Sequence, residues 1–511
     1  MAQPDVAVHL VVPGGGRRLL VATRARVPSL PVVTPTLGED DRLVSALQRH
    51  VRAAWQLDPV VLETHLPPQP STADAWIALA VLDVPPAEWR PPAGLGWTTA
   101  SPSVPDVVAP RARSWFGELT NELPPPDLRP PWSRPGWMAG ATDWIDETLA
   151  RLGRRRAGPI ALARLWSISA MLRIPTDVGD AWFKAVYRHF RHEPAVTALL
   201  SATVPDLVPP VLGIEPQHGW LLLDASGRPP SRTIAGDQVV LGAIDQLADV
   251  QERTRNLLAE FAAIGCPRRP LARLGDDLAE TLRGIEALGG PHVPPGRAAQ
   301  VVDWVSARAE WVDAMAFDDV LVHGDFHPGN LLVGPRGTRI IDWSDAAIAH
   351  PIVEVGPWFG EVRPDVRPRG WQAWLGALSR FGPVEALRGR ERQAYAVSCA
   401  YQVVSYARIL RDIEPANRYQ LSDGLNGYWR DLDESVPRRA RSRRGIGRAM
   451  GVGMNEHEPD RHAIDESSYG GSAAETGGLY DDAGPTAANP EGDTMSEEEE
   501  RDSRPPEAPA T

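Results

Sequence analysis

Residues 321–351 read LVHGDFHPGNLLVGPRGTRIIDWSDAAIAHP, and no other stretch restricts the chain so tightly. Apolar runs at 320–322 and 330–333 flank the polar loop HGDFHPG, so a strand-like segment enters and leaves a tight turn. A Gly-Pro-Arg-Gly turn at 334–337 leads into a third apolar segment that ends at Asp342. Three short strands thereby deliver Asp325, Asn330 and Asp342 to neighbouring loop ends. Asp and Asn favour turns for local hydrogen-bonding reasons, so any one of them alone carries little information. The three together, in order with His323, Gly324 and Pro328, define a chemistry. His323 and His327 fit structural roles, packing the loop or bonding its backbone.

Phosphoryl transfer needs an aimed nucleophile and neutralised phosphate charge more than it needs covalent help from protein. Magnesium takes hard oxygen ligands at roughly 2.0–2.1 Å, often one or two carboxylates with phosphates and waters completing the shell. Asp342 and the amide oxygen of Asn330 suit that task. Asp325, five residues before Asn330, has the spacing of the aspartate that accepts or orients the proton of an attacking hydroxyl. HGDFHPGN followed by IIDWSDA resembles the aminoglycoside phosphotransferase family, which also includes choline kinases and other small-molecule kinases. The resemblance implies an α+β, bilobal, protein-kinase-like fold, ATP and Mg2+ as cofactors, and a small-molecule hydroxyl as acceptor: aminoglycoside-like, sugar, amino alcohol or another metabolite. The alternative is a nucleotide-binding pseudokinase or ligand sensor without turnover.

The protein has 53 basic residues, and a single one, Lys184, is lysine. It stands in the apolar strand pattern DAWFKAV, where the resemblance places the lysine that contacts the α and β phosphates. Had basic positions been filled indifferently, that place had one chance in 53 of receiving it. An ammonium is a compact point charge on a flexible stem, whereas a guanidinium is broad and planar. Glu193 opens an apolar helical pattern with Pro194 in the first turn, where proline is tolerated. By resemblance it is the carboxylate partner of Lys184. The run GWLLLD then leads to the expected hinge, where backbone groups of Leu222, Leu223, Asp224 and Ala225 would meet the adenine edge. No G-x-G-x-x-G occurs; a turn at Trp166, Ser167, Ile168 and Ser169 stands where the resemblance places a phosphate-covering hairpin. In place of the family's Gly-Asp-Pro and following Asp, this chain has AHPIVE, so Glu354 is the residue that would steady the catalytic loop through a longer arm.

Upstream, residues 6–12 and 18–23 around a Pro-Gly-Gly-Gly turn read as a β-hairpin, and Leu43, Leu47, Val51, Ala54 and Trp55 share a helical period. Strand patterns at 59–66 and 75–84 and a helix near 109–119 complete an order similar to the Nudix hydrolase fold. That family holds magnesium through an Arg-Glu-x-x-Glu-Glu helix. Here Arg49 is kept but His50, Ala53 and Ala54 occupy the glutamate positions, which predicts a scaffold, sensor or dimerisation surface without hydrolysis. The expected order is a Nudix-like α/β domain at 1–120, a Pro-rich linker or surface strap at 121–139, the kinase-like domain at 140–435 and a disordered basic-then-acidic tail at 436–511. In the kinase-like domain, helices are expected at 142–156, 238–264, 270–288, 296–316, 370–380, 385–413 and 415–432. Trp358, Phe359, Trp371, Trp374 and Tyr401 are candidates for an acceptor pocket, although aromatics at helical spacing are more often core.

The formal charge of −13 says nothing about that pocket, because sixteen acidic residues against three arginines between 452 and 511 account for all of it. Six arginines cluster at 438–448 just before them. No nucleic-acid partner is implied. Cys266 and Cys399 stand far apart without metal-ligand spacing. No apolar run approaches the roughly 20 residues that span a bilayer, and no basic segment precedes an apolar core at the start. A cytoplasmic protein is expected.

Overall fold

The computed structural model describes residues 5–23, 27–37, 42–68, 75–120, 122–228, 230 and 234–438. Past Arg438, the tail expected at 436–511 lies outside them.

Near the start, Asp5–Val11 buries Val6, Val8 and Leu10 and therefore needs neighbours on both edges. It gains them from the short antiparallel strand Val32–Val33 and from Ala75–Leu82, which pairs parallel to it over seven residues. Val61–His65 completes this four-stranded sheet, outside Ala75–Leu82. The hairpin expected from the glycine turn is corrected: only Pro13–Gly14 folds back on Arg18–Ala22, which pairs instead with Leu95–Thr98. An adjacent turn favours a hairpin locally, but satisfying a buried central strand from both sides outweighs it. The helices Leu43–Trp55 and Ala109–Leu119 fall where the period placed them.

The Leu43–Trp55 helix turns Leu47 and Val51 inward and lies against Ala161–Leu165, the edge strand of a second sheet. Gln48, also buried, accepts the Leu162 N–H at 3.0 Å, satisfying an edge amide that would otherwise be orphaned under the helix. Consequently one apolar cluster runs from Val8, Leu47 and Val51 into Leu162, Leu172 and Phe183. The proline-rich stretch does not lie loosely on the surface. Arg129 and Trp132 are buried, and the helix that follows spans Trp137–Arg151, beginning five residues before the sequence expectation.

The second sheet is antiparallel, in the order Val211–Glu215, Trp220–Asp224, Gly179–Val186, Ser169–Thr176, Ala161–Leu165. The Glu193–Thr203 helix packs beside it. Behind it is a helical lobe built on Glu391–Arg411, of which fifteen residues are buried, as expected for a helix with no solvent face. The helix expected over 238–264 is broken after Arg253, where Thr254 bonds back to the Val250 carbonyl at 2.7 Å. Likewise, the one expected over 385–413 starts only at Glu391, after Gly389 in the left-handed region. Two small antiparallel ladders join the lobes' inner faces: Val320–Val322 with Ala347–Ala349, and Leu331–Gly334 with Gly337–Ile340. They carry the HGDFHPGN loop and Asp342. No helix among the described residues is long and apolar enough to cross a membrane.

Candidate active site

Lys184 lies in the middle of the antiparallel sheet, opposite Leu221 on one side and Met171 on the other, and is 2 % exposed. Its ammonium bonds Glu193 Oε1 at 2.8 Å and Asp342 Oδ1 at 2.7 Å. One cation thus stands between a buried carboxylate, Glu193, and a half-buried one, Asp342. Burial alone would lower the lysine pKa, but the charges of Asp342 and Glu193 overcome it and raise it. Burial also acts to raise Asp342, yet the ammonium and the Ser344 hydroxyl hold it down at about 2. Glu193 is the weaker partner: burial and the facing Asp342 charge push it up to about 7, and Lys184 offsets only part of that.

Asp342 has φ +62°, uncommon for a residue with a side chain and a form of strain found at functional sites. Lys184 and Ser344 both bond its Oδ1. Oδ2 is therefore the oxygen left for a cation.

In the loop, the Asn330 side-chain amide donates to the Asp325 carbonyl at 2.9 Å, while its Oδ1 is buried without a hydrogen-bond partner. His327 Nδ1 accepts the Gly329 N–H at 3.1 Å, so Nε2 bears the proton and faces Asp325 Oδ2 at 3.4 Å. His323 Nε2 donates to the Ile341 carbonyl at 2.8 Å, tying the catalytic loop to the strand that delivers Asp342. Both histidines bond the loop backbone, and His327 Nε2 also faces the Asp325 carboxylate.

Glu354 takes the position expected of it. Its two oxygens accept the N–H groups of His323 and of Gly324, the latter at 3.2 Å, and burial raises its pKa to about 8 despite those bonds. Gly324 has φ +82°, and a Cβ there would lie 2.2 Å from the Asp345 carbonyl oxygen, so the loop requires glycine.

Two contributors were missed. Asp345, one turn after Asp342, is pushed up to about 8 by burial and by the charges of Asp325 and Asp342; its spacing within IIDWSDA was the available signal. Gln402, whose side-chain amide donates to the Gly324 carbonyl at 2.7 Å, lies 78 residues downstream on another helix and left no local trace. Four carboxyl groups, Glu193, Asp325, Asp342 and Asp345, face one ammonium, and even with Asp345 protonated the site is short of positive charge.

That deficit and the orphaned Asn330 oxygen fit a divalent cation held by Asn330 and Asp342. Among the described residues no three His, Cys, Asp or Glu side chains form a ready-made metal cage.

The other predicted residues are elsewhere. Leu222 and Leu223 are inside the ladder opposite Phe183 and Trp182, both buried. Asp224 donates its N–H to Pro210 and binds Arg154 through its side chain, and the Ala225 N–H is used by Asp180. They begin one residue beyond the level of Lys184 and end four beyond, roughly 3–13 Å along the strand at about 3.3 Å per residue. Trp358, Phe359, Trp371, Trp374 and Tyr401 are buried in the helical lobe's main cluster, which makes them core rather than pocket wall.

The tip of the hairpin joining Ala161–Leu165 to Ser169–Thr176 is held on several sides. Trp166 bonds Ser169 through its indole at 2.6 Å, the Trp132 indole reaches the Trp166 carbonyl at 2.8 Å, and Tyr187 donates to the Ile168 carbonyl at 3.0 Å.

Burial of neutral histidines gives the fold a pH dependence. His350 is pushed down to about 4 by burial, with Nδ1 accepting the Ile352 N–H. Its folded pKa is below the unfolded one, so its contribution is present above about 6.5 and lost as pH falls toward 4, by at most about 1.4 kcal/mol per pH unit. His350→Gln lacks that proton site. Its stability deficit against wild type, from urea unfolding, should therefore be larger at pH 7.5 than at pH 5; an equal deficit at both would contradict the assignment.

A small β-rich lobe, a larger helical lobe, an ion-paired lysine between them and an Asp-x4-Asn loop followed by a second aspartate define the protein-kinase-like class. Within the chain, residues 181–395 match the model of the Phosphotransferase enzyme family. No curated protein matches. Solved structures similar to this chain include a choline/ethanolamine kinase family protein from Mesorhizobium loti, with 18 % identity, 58 % of this chain and 92 % of that one covered, and TM-score 0.40. A macrolide 2'-phosphotransferase from Brachybacterium faecium shows 17 % identity, 58 % and 100 % coverage, and TM-score 0.39. A choline kinase from Cryptosporidium parvum shows 13 %, 58 % and 96 %, and 0.42.

Proposed function

We propose that the protein is a small-molecule kinase that moves the γ-phosphate of ATP to a hydroxyl group. The observation that carries this reading is the bridge from Lys184 to both Glu193 and Asp342, beside a loop that aims Asp325 and leaves the Asn330 oxygen unpaired. Lys184, held in line by Glu193, binds the α and β phosphates. Leu222 to Ala225 border the base. Asn330 and Asp342 hold Mg2+, which when bound neutralises phosphate charge. Asp325 receives or orients the acceptor proton, with His327 steadying its carboxylate.

The N-terminal unit, whose helix carries no carboxylate at positions 50, 53 or 54, serves as a scaffold. The acceptor is a hydroxylated small molecule of the kinds named above. The test is a screen of antibiotics, sugars and amino alcohols for Mg2+-dependent ATP consumption, with Asp325→Ala run in parallel. Turnover with one acceptor that vanishes in Asp325→Ala supports the reading. Nucleotide binding without turnover across the panel would assign a pseudokinase or sensor instead.

A further inference from the structure

Residues 414–420, a strap that follows the Glu391–Arg411 helix and runs into the first turn of the helix Tyr419–Ser435, tie together parts of the chain some 250–350 positions apart. Glu414 is buried between two arginines from upstream: Arg111 Nη1 at 2.7 Å and Arg129 Nε at 2.6 Å. Arg111 also holds Glu63 at 2.8 Å, and Arg129 holds Glu118 at 2.7 Å with its guanidinium over the Trp115 ring. Burial acts to raise the Glu63 carboxyl, but Arg111 and Arg129 overcome it and keep it below its usual range.

The strap continues this attachment. Asn417 donates to Glu63 at 3.0 Å and accepts from His65 Nδ1 at 3.1 Å, and the Tyr419 hydroxyl accepts the Leu66 N–H at 3.0 Å. The next residue, Gln420, whose side chain also meets the Tyr419 hydroxyl, reaches the hairpin: its Oε1 accepts the Ser167 N–H at 3.0 Å, at the tip that the family resemblance sets over the proposed phosphate subsite. Three consecutive anchors on the N-terminal unit thus end in one bond to the hairpin.

A glycine-rich phosphate loop is mobile and becomes ordered on its ligand. This hairpin has no glycine at its tip, and Trp132, Tyr187 and Gln420 each bond its backbone. We propose that the N-terminal unit acts through the 414–420 strap as a positioning element for nucleotide binding, with Gln420 holding the Ser167 hairpin as a fixed roof. The inference rests on the nucleotide site proposed above. The roof is ordered before ligand arrives, so binding avoids the entropy of ordering it.

The test uses the full chain and a fluorescent ATP analogue with Mg2+, alongside amide hydrogen exchange at Ser167 and urea unfolding. Gln420→Leu keeps the shape of a half-buried side chain but has no acceptor. It should speed Ser167 exchange and weaken nucleotide binding about tenfold, the effect of one lost organising hydrogen bond, with one cooperative unfolding transition whose midpoint falls only slightly. Gln420→Glu, which retains an acceptor oxygen, should restore slow exchange. Asn417→Ala, which removes the strap's bonds to Glu63 and His65 without touching Gln420 or the hairpin, should weaken binding in the same direction by a smaller factor. Equal or tighter nucleotide binding by Gln420→Leu would overturn the roof while leaving the kinase reading intact. A wild-type protein that binds no nucleotide would instead remove that reading, and this one with it.

Discussion

Asp325→Asn should cut turnover by about 10²–10⁴-fold, the range attributed to a positioned proton acceptor, while nucleotide affinity stays within about twofold. The substitution keeps the backbone bonds of the loop, since the Asp325 carbonyl receives Asn330 and its N–H meets His323 Nδ1 at 3.3 Å. Only the negative charge and its capacity to take a proton are removed. Steady-state kinetics with the acceptor found by screening, beside direct nucleotide titration, separate the two effects. Turnover within tenfold of wild type would show that the acceptor hydroxyl is activated by another group.

Lys184→Met should act on both stability and binding. Removing the ammonium leaves the buried Glu193 and the half-buried Asp342 facing each other uncompensated, and breaking a buried pair costs about 3–5 kcal/mol, an upper bound here because Asp342 keeps some solvent. Asp342, held at about 2 by the lysine, should then rise, so part of the cost is met by protonation rather than unfolding. Lys184→Arg is the sharper probe of function. It preserves charge but asks a planar fork to fit where one nitrogen reaches two carboxylates at 2.8 and 2.7 Å. Expected are a folded protein, confirmed by its unfolding curve, and nucleotide binding weakened by about tenfold or more. Wild-type nucleotide affinity in Lys184→Arg would remove Lys184 from the phosphate subsite.

The candidate loop was legible because its pattern is local: the residues from His323 to Asn330 are consecutive, and Asp342 follows at the end of the next hairpin. Lys184 was legible for a different reason, the exclusion of lysine from every other position. Its bond to Asp342, 158 residues away, was not legible in the sequence, which paired it with Glu193; the structure places the two side chains together. Glu354 was anticipated as a substitute and found bonding the loop's amides. Gln402 was invisible, because nothing near it in the chain distinguishes it from any other glutamine on a buried helix. The strand pairing of Asp5–Val11 was misread because a glycine turn is a short-range signal, whereas partner choice depends on which neighbours close a buried sheet. The proline-rich segment was likewise taken for a strap, since proline restricts torsions but does not reveal that Arg129 and Trp132 between the prolines are buried.

What the amino-acid sequence determined by itself was the short-range content: where helices and strands form, which loop bears the oxygen donors, and the identity of the one lysine. These follow from periodicity, turn chemistry and side-chain type over fewer than about twenty residues. Only the tertiary structure decided the left-handed Asp342, the sharing of one ammonium by two carboxylates, and the attachment of the N-terminal unit to Glu414 and the strap beyond it. The reason is desolvation. A carboxylate or guanidinium in water has no required partner, but once packing buries it the uncompensated charge is too costly to leave, and whichever opposite group the fold brings within reach becomes essential.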